Sequence, residues 1–353
     1  MSKDNVSESL SKRGGSLNPG VNSSDSLQAS TLESVGKPTT APLDTNNIAL
    51  CAGLDCKGLE LIINWVSSTV YTINPDDEAL LRLCQTVILK QALSHKFLMH
   101  GLLAVSALHL ADQRGNDWGS YSRIAMSHHN EGLTMFRAEL RSIKASNYSA
   151  AIAFSSVTTI FSFALSRPLQ ETSLSLLDDL AQIFQLAKGW HEIVRVADNL
   201  ELKGPANTDS QSQPKTGFSI SADARHAFSH LHELNSTSVW QDGEHEGEVY
   251  AEVIDSLDHV YGKSVNGNSN PHMALEWVNM LPSRFFCLLK EHRTLALLVL
   301  GHYCVILDRF KHLWWLKGWS SGLLKVIWHK VDPVNRNSLA WPVEMAGLSD
   351  LDM

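Results

Sequence analysis

The sequence predicts an all-α fold, an irregular multi-helix domain, and three observations carry the expectation. The run His95–Asp112, HKFLMHGLLAVSALHLAD, is apolar nearly all round and helical in period, yet too short and too interrupted to span a bilayer. Two further apolar windows, Ala150–Leu165 and Leu295–Leu307, are broken by Ser, Thr, His or Tyr and read as buried helices, not membrane spans. No stretch alternates apolar and polar residues between hairpin turns, so strands have little support.

The elements follow in order from breakers and caps. Residues Met1 to about Asn47 are rich in Ser, Gly, Asn, Thr and Pro and bury too little apolar surface to offset ordering entropy. A disordered polar leader is therefore expected over 1–50, followed by one helical domain over 54–353. Leu59–Ile73 sets Leu61, Ile62, Trp65, Val66 and Thr69 on one helical stripe. Asn74-Pro75-Asp76 breaks that helix and starts the next, which runs to Leu93 with acids in its first turn. The His95–Asp112 helix comes third. Trp118–Ile143 is long and amphipathic, and Asn147 can cap a helix over Ser149–Leu165 that Pro168 closes. Leu174–Leu200 is another long helix, and the polar stretch near 203–220 reads as a flexible loop. Helices resume at Ala222–Asn235, Glu246–Gly262, Pro271–Met280, a long Ser283–Leu313, Trp314–Val331 and a short Ser338–Gly347.

Bulk properties exclude several classes. Of the 353 residues 44% are hydrophobic, enough for a sizeable core, and a net charge of -8 argues against broad electrostatic binding to nucleic acid or to an acidic membrane surface. The five cysteines, Cys51, Cys56, Cys84, Cys287 and Cys304, are odd in number and lack paired zinc-site spacing. Cys84, Cys287 and Cys304 read as buried small hydrophobes, which suits a reducing compartment. The N-terminus MSKDNVSESLSKRGG has no apolar core and is not a secretory signal.

No nucleophile elbow, phosphate loop, dinucleotide fingerprint or paired-histidine zinc motif stands in its required context. His226, His230 and His232 form the densest titratable cluster, but without an acid at metalloprotease spacing they read as an ordinary amphipathic helix. No metal and no cofactor is expected. His100 and His109 read as core histidines bonded to a carbonyl or a neighbouring side chain, and of the adjacent His128 and His129 at most one is expected to be buried. Asp76, Asp77 and Glu78 read as charges favourable at a helix N-terminus. Trp314, Trp315, Trp319, Trp328 and Trp341, with Tyr303 and Phe310, concentrate near the C-terminus, as gap-filling core or as the lining of a pocket. Gly301, Gly318 and Gly322 beside them imply close helix approach or room for something bound.

Three blocks together resemble the C-terminal regulatory domain of fungal zinc-binuclear-cluster transcription factors, in the branch of the sterol uptake-control regulators. They are HKFLMHGLLAVSALHLA with RIAMSHHNEGLTMFRAEL, then AIAFSSVTTIFSFALSRP, then HYCVILDRFKHLWWLKGWSSGLLKVIWHKV with AWPVEMAGL. The last matches the family's paired tryptophans, Gly-Trp, and Trp-Pro with a nearby glycine, at Trp314, Trp315, Gly318, Trp319, Trp341, Pro342 and Gly347. The resemblance covers the chain from about Leu54 to the end. It implies an all-helical fold with a lipid-holding hydrophobic pocket near the C-terminal helices, and it nominates His302, Tyr303, Trp314, Trp315, Gly318 and Trp319 as ligand-binding. Two departures stand out. The leader has no cysteine before Cys51, where the family carries six that hold two zinc ions, and Cys84-Gln85 stands near a position where a tryptophan is usual.

Three readings follow. The first is a regulator-like protein that binds a sterol, terpenoid or polyketide, pairs with itself or with a related regulator, does not contact DNA directly, and works in the cytoplasm or nucleus. The second is a cofactor-independent cyclase, isomerase or pericyclase of secondary metabolism that reuses the pocket, with His109, His302, Tyr303 and Asp308 as candidate polar groups. The third is a gene fragment whose upstream exon encodes the cysteine cluster.

Overall fold

The computed structural model describes residues 56–168, 175–199, 219–241, 245–266, 270–271 and 273–348. The polar leader expected over 1–50, Cys51 and most of the loop near 203–220 lie outside these residues. Among the described residues every regular element is helical and none is a strand.

The first helix, α1 (56–73), starts as Cys56–Asn64, widens into a π-helical turn at Trp65–Thr69 and ends as Val70–Ile73. The π turn adds a residue to the repeat, so Leu61, Trp65 and Thr69 stay buried while Val66 turns outward, off the expected stripe. A second helix, α2 (78–94), has the same build, with Glu78–Leu83, a π turn at Cys84–Ile88 and Leu89–Ser94. Its cap is Asp77, whose Oδ1 accepts from the Leu80 amide at 2.8 Å, so Pro75 falls before the helix and not in its first turn. The first two segments of α2 bury no residue.

Around α3 (Lys96–Arg114) the N-terminal half assembles. Its buried residues run unbroken from Gly101 to Ala111, because α1, α4 (Trp118–Glu139) and α5 (Tyr148–Leu165) enclose it. Close approach depends on small residues. A Cβ on Gly132 would lie 2.9 Å from Phe154 Cε2 and 3.0 Å from the Phe97 carbonyl oxygen, and the backbone atom cannot yield. Helix α4 ends at Glu139, four residues short of the expected end, and Leu140 is exposed. Asn147 precedes α5, but its side chain holds the preceding turn, accepting from Lys144 N at 2.8 Å and donating to Glu139 at 2.8 Å, so it makes no helix cap.

Helix α6 (Leu176–Asn199) joins the two halves, packing on α5 and also on α9 (Met273–Met280), α10 (Ser283–Lys290) and α12 (Trp319–Lys330). The C-terminal half forms round α11 (Thr294–Arg309), buried without a break from Leu295 to Leu307 and covered by α7 (Ala222–Gln241), α8 (Gly247–Val265), α12 and α13 (Ala340–Met345). The long helix expected over Ser283–Leu313 is two helices. His292, with φ 53°, is the left-handed residue that ends α10, and the Arg293 amide closes the turn on Leu288 O at 3.0 Å. Trp314 also lies outside a helix, because α12 starts only at Trp319, after Gly318 with φ 85°.

One apolar cluster connects both halves. Tyr148–Leu165 is the one described helix long and apolar enough to cross a membrane, and 61% of it is buried against its neighbours. Of the cysteines expected in the core, Cys304 is buried, Cys84 half-buried and Cys287 exposed, on the outer face of the short amphipathic α10.

Candidate functional site

An apolar cavity of about 40 Å³ lies where the two halves meet. Ile73 and Asn74 at the end of α1, Leu80 of α2, Ser156, Thr159 and Ile160 of α5 and Ala187 of α6 line it, with Pro271, Leu275 of α9 and Trp315. Its size matches little more than one water molecule, whose share of liquid volume is about 30 Å³. Two buried polar atoms on lining residues have no partner, Trp315 Nε1 and Asn74 Oδ1. Sequence reading named Trp315 and missed the rest. Asn74 stood out only as a helix breaker before Pro75, and the others are apolar or small residues without a chemical signature.

The other nominated residues are held by the fold. His302 is buried, with Nδ1–H donating to the Leu298 carbonyl at 2.8 Å, and burial pushes its pKa down to about 4. Tyr303 is fully buried and its hydroxyl donates to Ala274 O. Trp314 Nε1 donates to Thr72 Oγ1 at 3.1 Å, and Trp319 Nε1 donates to the Phe163 carbonyl at 2.9 Å. Asp308 pairs with Lys311 at 2.9 Å. The space beside the glycines is filled. A Cβ on Gly318 would lie 3.3 Å from Pro168 O, one on Gly322 2.7 Å from Pro168 Cγ, and one on Gly301 2.5 Å from Leu339 Cδ2. Of the six residues nominated for ligand binding, Trp315 is the one that lines the cavity. His302, Tyr303 and Asp308 share α11, whereas His109 sits in a separate network, so the four candidate catalytic groups do not converge.

That network is the most connected buried polar feature among the described residues. Asn64 Nδ2 donates to Thr69 Oγ1 at 2.9 Å and to Ser106 Oγ at 3.0 Å, and Ser106 Oγ donates to Leu61 O at 2.7 Å. Thr69 Oγ1 lies 2.9 Å from His109 Nδ1, and the Gln113 amide meets His109 Nε2 at 3.2 Å. The π turn of α1 sets both Asn64 and Thr69 inward, where a regular helix would separate them. Burial holds the His109 pKa below its usual value, so the ring is neutral, one nitrogen donating and one accepting.

The other histidines singled out in the sequence lie outside this network. His100 and His128 meet through their Nδ1 atoms at 3.1 Å. His128 and His129 are both half-buried and neither is fully buried, in line with the expectation that at most one would be. His129 stacks on Phe161 with centroids 3.9 Å apart, and burial lowers its pKa to about 4. His230 Nε2 lies 3.0 Å from Ser338 Oγ, His232 pairs with Asp255 at 3.2 Å, and His226 is exposed. Among the described residues no three His, Cys, Asp or Glu side chains are placed to hold a metal ion.

Fold and site together define an all-α domain with a small apolar cavity beside a tryptophan block. Residues 68–228 match the family model of the fungal specific transcription factor domain. The match supports the family of fungal transcription-factor regulatory domains and a regulator-like protein, and it is consistent with the nucleus. No curated protein matches the chain.

Proposed function

We propose that this chain is a regulator-like protein of the sterol-regulator type that senses a hydrophobic small molecule of sterol, terpenoid or polyketide character. The observation that carries the reading is the cavity at Trp315. Seven of its ten lining residues, from Ile73 to Ala187, fall within the segment that matches the fungal transcription factor domain. The other three, Pro271, Leu275 and Trp315, come from the C-terminal half. A molecule held there touches both halves and biases their packing, and a ligand shifts such an equilibrium by its difference in affinity for the two states.

The cavity as it stands holds little more than a water molecule, so the state that admits a ligand is a more open one. The weakest wall is α2, whose segments Glu78–Leu83 and Cys84–Ile88 bury no residue and which reaches the cavity through the half-buried Leu80. Segments with few buried contacts open at low free energy.

Deleting the gene and profiling transcripts and metabolites tests the reading. Loss of a block of lipid or secondary-metabolite transcripts is the expected result. Unchanged transcripts with an accumulated, uncyclised intermediate would overturn it in favour of an enzyme.

A further inference from the structure

Four of the twelve exposed large hydrophobic side chains among the described residues lie on one helix, α1, and no other helix carries more than two. They are Leu59 at 48% exposure, Ile63 at 61%, Val66 at 36% and Tyr71 at 46%, and the exposed Cys56 extends the row. The steps from Cys56 to Leu59, Ile63 and Val66 are three, four and three residues, the spacing of a coiled-coil seam, on a helix whose inner face already packs on α3. A regular helix would continue the seam at Val70. The π turn at Trp65–Thr69 adds one residue, so Val70 enters the core and Tyr71 takes the outer position. Beside the row, Leu110 and Arg114 of α3 complete an open groove of about 470 Å³ that Cys56, Leu59 and Ile63 also line. Apolar side chains at seam spacing on the outside of a protein mark a surface that another helix covers.

We infer that α1 packs against α1 of a second copy of this chain, antiparallel about a two-fold axis near Ile63. Charge decides both the occupant and its direction. Near its start α1 carries Lys57 and Glu60, paired at 3.1 Å, and Glu60 also pairs with Arg114 at 2.9 Å. From Leu61 to Asn74 the sequence has no charged residue. Antiparallel packing lays the charged start of each helix on the uncharged end of the other. Parallel packing would set Lys57 against Lys57 and Arg114 against Arg114, and a strongly charged partner would find no counter-charge along most of the row. In a two-fold interface the same patch serves both sides. Leu59 then meets the partner's Val66, Cys56 meets the partner's Tyr71, and Ile63 meets its own copy at the axis. Helix α1 is about 27 Å long and about 10 Å wide, a footprint well below the roughly 800 Å² per partner of a standard interface. The dimer is therefore weak and reversible. It needs no ligand in the cavity and stands or falls apart from the ligand-sensing reading.

Analytical ultracentrifugation of the purified full-length chain between about 1 and 100 µM tests the interface. The expected result is a monomer–dimer equilibrium with a micromolar dissociation constant. Leu59→Lys and Val66→Glu, each on an exposed side chain, are expected to weaken it by about tenfold or more singly. Combined in one chain they are expected to restore it to within about threefold, because the two positions meet only across the axis. Ile63→Lys brings two like charges together at the axis and is expected to leave the chain monomeric. Val334→Glu, at a side chain 89% exposed and outside the row, is expected to change nothing. Equal weakening by Val334→Glu, no recovery in the double variant, or a dimer that persists in Ile63→Lys would overturn the interface. A chain that stays monomeric to about 100 µM would overturn it outright. Maleimide labelling of Ile63→Cys would then distinguish a face covered by residues 1–55, which reacts slowly, from one open to an unlike partner, which reacts fast.

Discussion

His109 and Trp314 stack with ring centroids 5.0 Å apart and planes 30° from parallel, which ties the middle of α3 to the tryptophan block near the other end of the chain. The stack has polar anchors on both sides. His109 Nδ1 meets Thr69 Oγ1 at 2.9 Å, and Trp314 Nε1 donates to Thr72 Oγ1, which itself donates to Thr69 O at 2.7 Å. The last turns of α1, Thr69 in the π segment and Thr72 just after it, thus carry the hydrogen bonds that orient both rings.

Thr69→Val keeps the shape of the side chain and removes its hydroxyl. It leaves one His109 nitrogen without its partner and removes one of the Asn64 amide's hydrogen bonds in a buried site, while the bond to Ser106 remains, so a loss of about 2 kcal/mol is expected. Thr69→Ser keeps the oxygen and is expected to lose less than half as much. The midpoint of urea unfolding measures both, and equal losses would show that the methyl group, not the network, carries the effect.

Burial sets a pH dependence whose sign is fixed. His129 and His302 are pushed down to about 4, and His100 and His109 lie below their usual value, with burial the leading cause in all four. Each binds its proton more weakly folded than unfolded. Stability is therefore fully present above the unfolded value near 6.5 and is lost as pH falls from there toward 4. Inside that window His302 alone gives a slope of about 1.4 kcal/mol per pH unit. Its imidazole lies against Phe228 and Trp341, so His302→Leu keeps an apolar environment filled. Thermal melts between pH 4 and 7.5 should show a shallower decline in that variant, and an unchanged slope would remove His302 from the account.

How much of this was legible in the sequence depends on range. The His95–Asp112 run announced a buried helix because it is apolar on every face, and enclosure by α1, α4 and α5 is the reason. The break at His292 was invisible, since a histidine in the left-handed region carries none of the signals that Gly or Pro would, and apolar periodicity continues across it. The tryptophan block was conspicuous, but its roles are set far away. Trp314 bonds to Thr72, 242 residues off, and Trp319 to Phe163, 156 residues off. Asn74 joined Trp315 at the cavity for the same reason, because only the tertiary fold brings the end of α1 and the turn before α12 to one wall.

The His292 turn gives a second backbone test. An L-residue in the left-handed region costs roughly 1–2 kcal/mol, part of which glycine returns through its greater freedom when unfolded. His292→Gly is therefore expected to raise stability by about 0.5–1 kcal/mol, seen as a higher melting temperature. A lower one would mean that the imidazole makes contacts worth more than the strain.

Arg167 offers the sharpest test of how the halves are coupled. Its guanidinium reaches Asp112 at 2.5 Å and the Trp314 carbonyl at 3.3 Å, and lies 4.7 Å from the ring centre of Trp118. The Arg167 side chain is 6% exposed and that of Asp112 22%, so the pair is only weakly screened by solvent. Arg167→Met removes the charge but keeps much of the volume, leaving a partly buried carboxylate and a carbonyl without a donor. A loss of about 3 kcal/mol is expected, toward the low end for a buried pair because Asp112 keeps some water. Asp112→Asn in the Arg167→Met background should lose little more, giving a coupling energy of about 1–3 kcal/mol in the double-mutant cycle. Strict additivity would mean that the pair is incidental. A second effect follows from position. Arg167 holds the backbone at Trp314, and the next residue, Trp315, forms the cavity wall. Loosening that turn shifts Trp315, so Arg167→Met should also weaken binding of a cavity ligand, although Arg167 does not line the cavity. Unchanged affinity in a destabilised variant would separate the fold's main buried ion pair from its cavity.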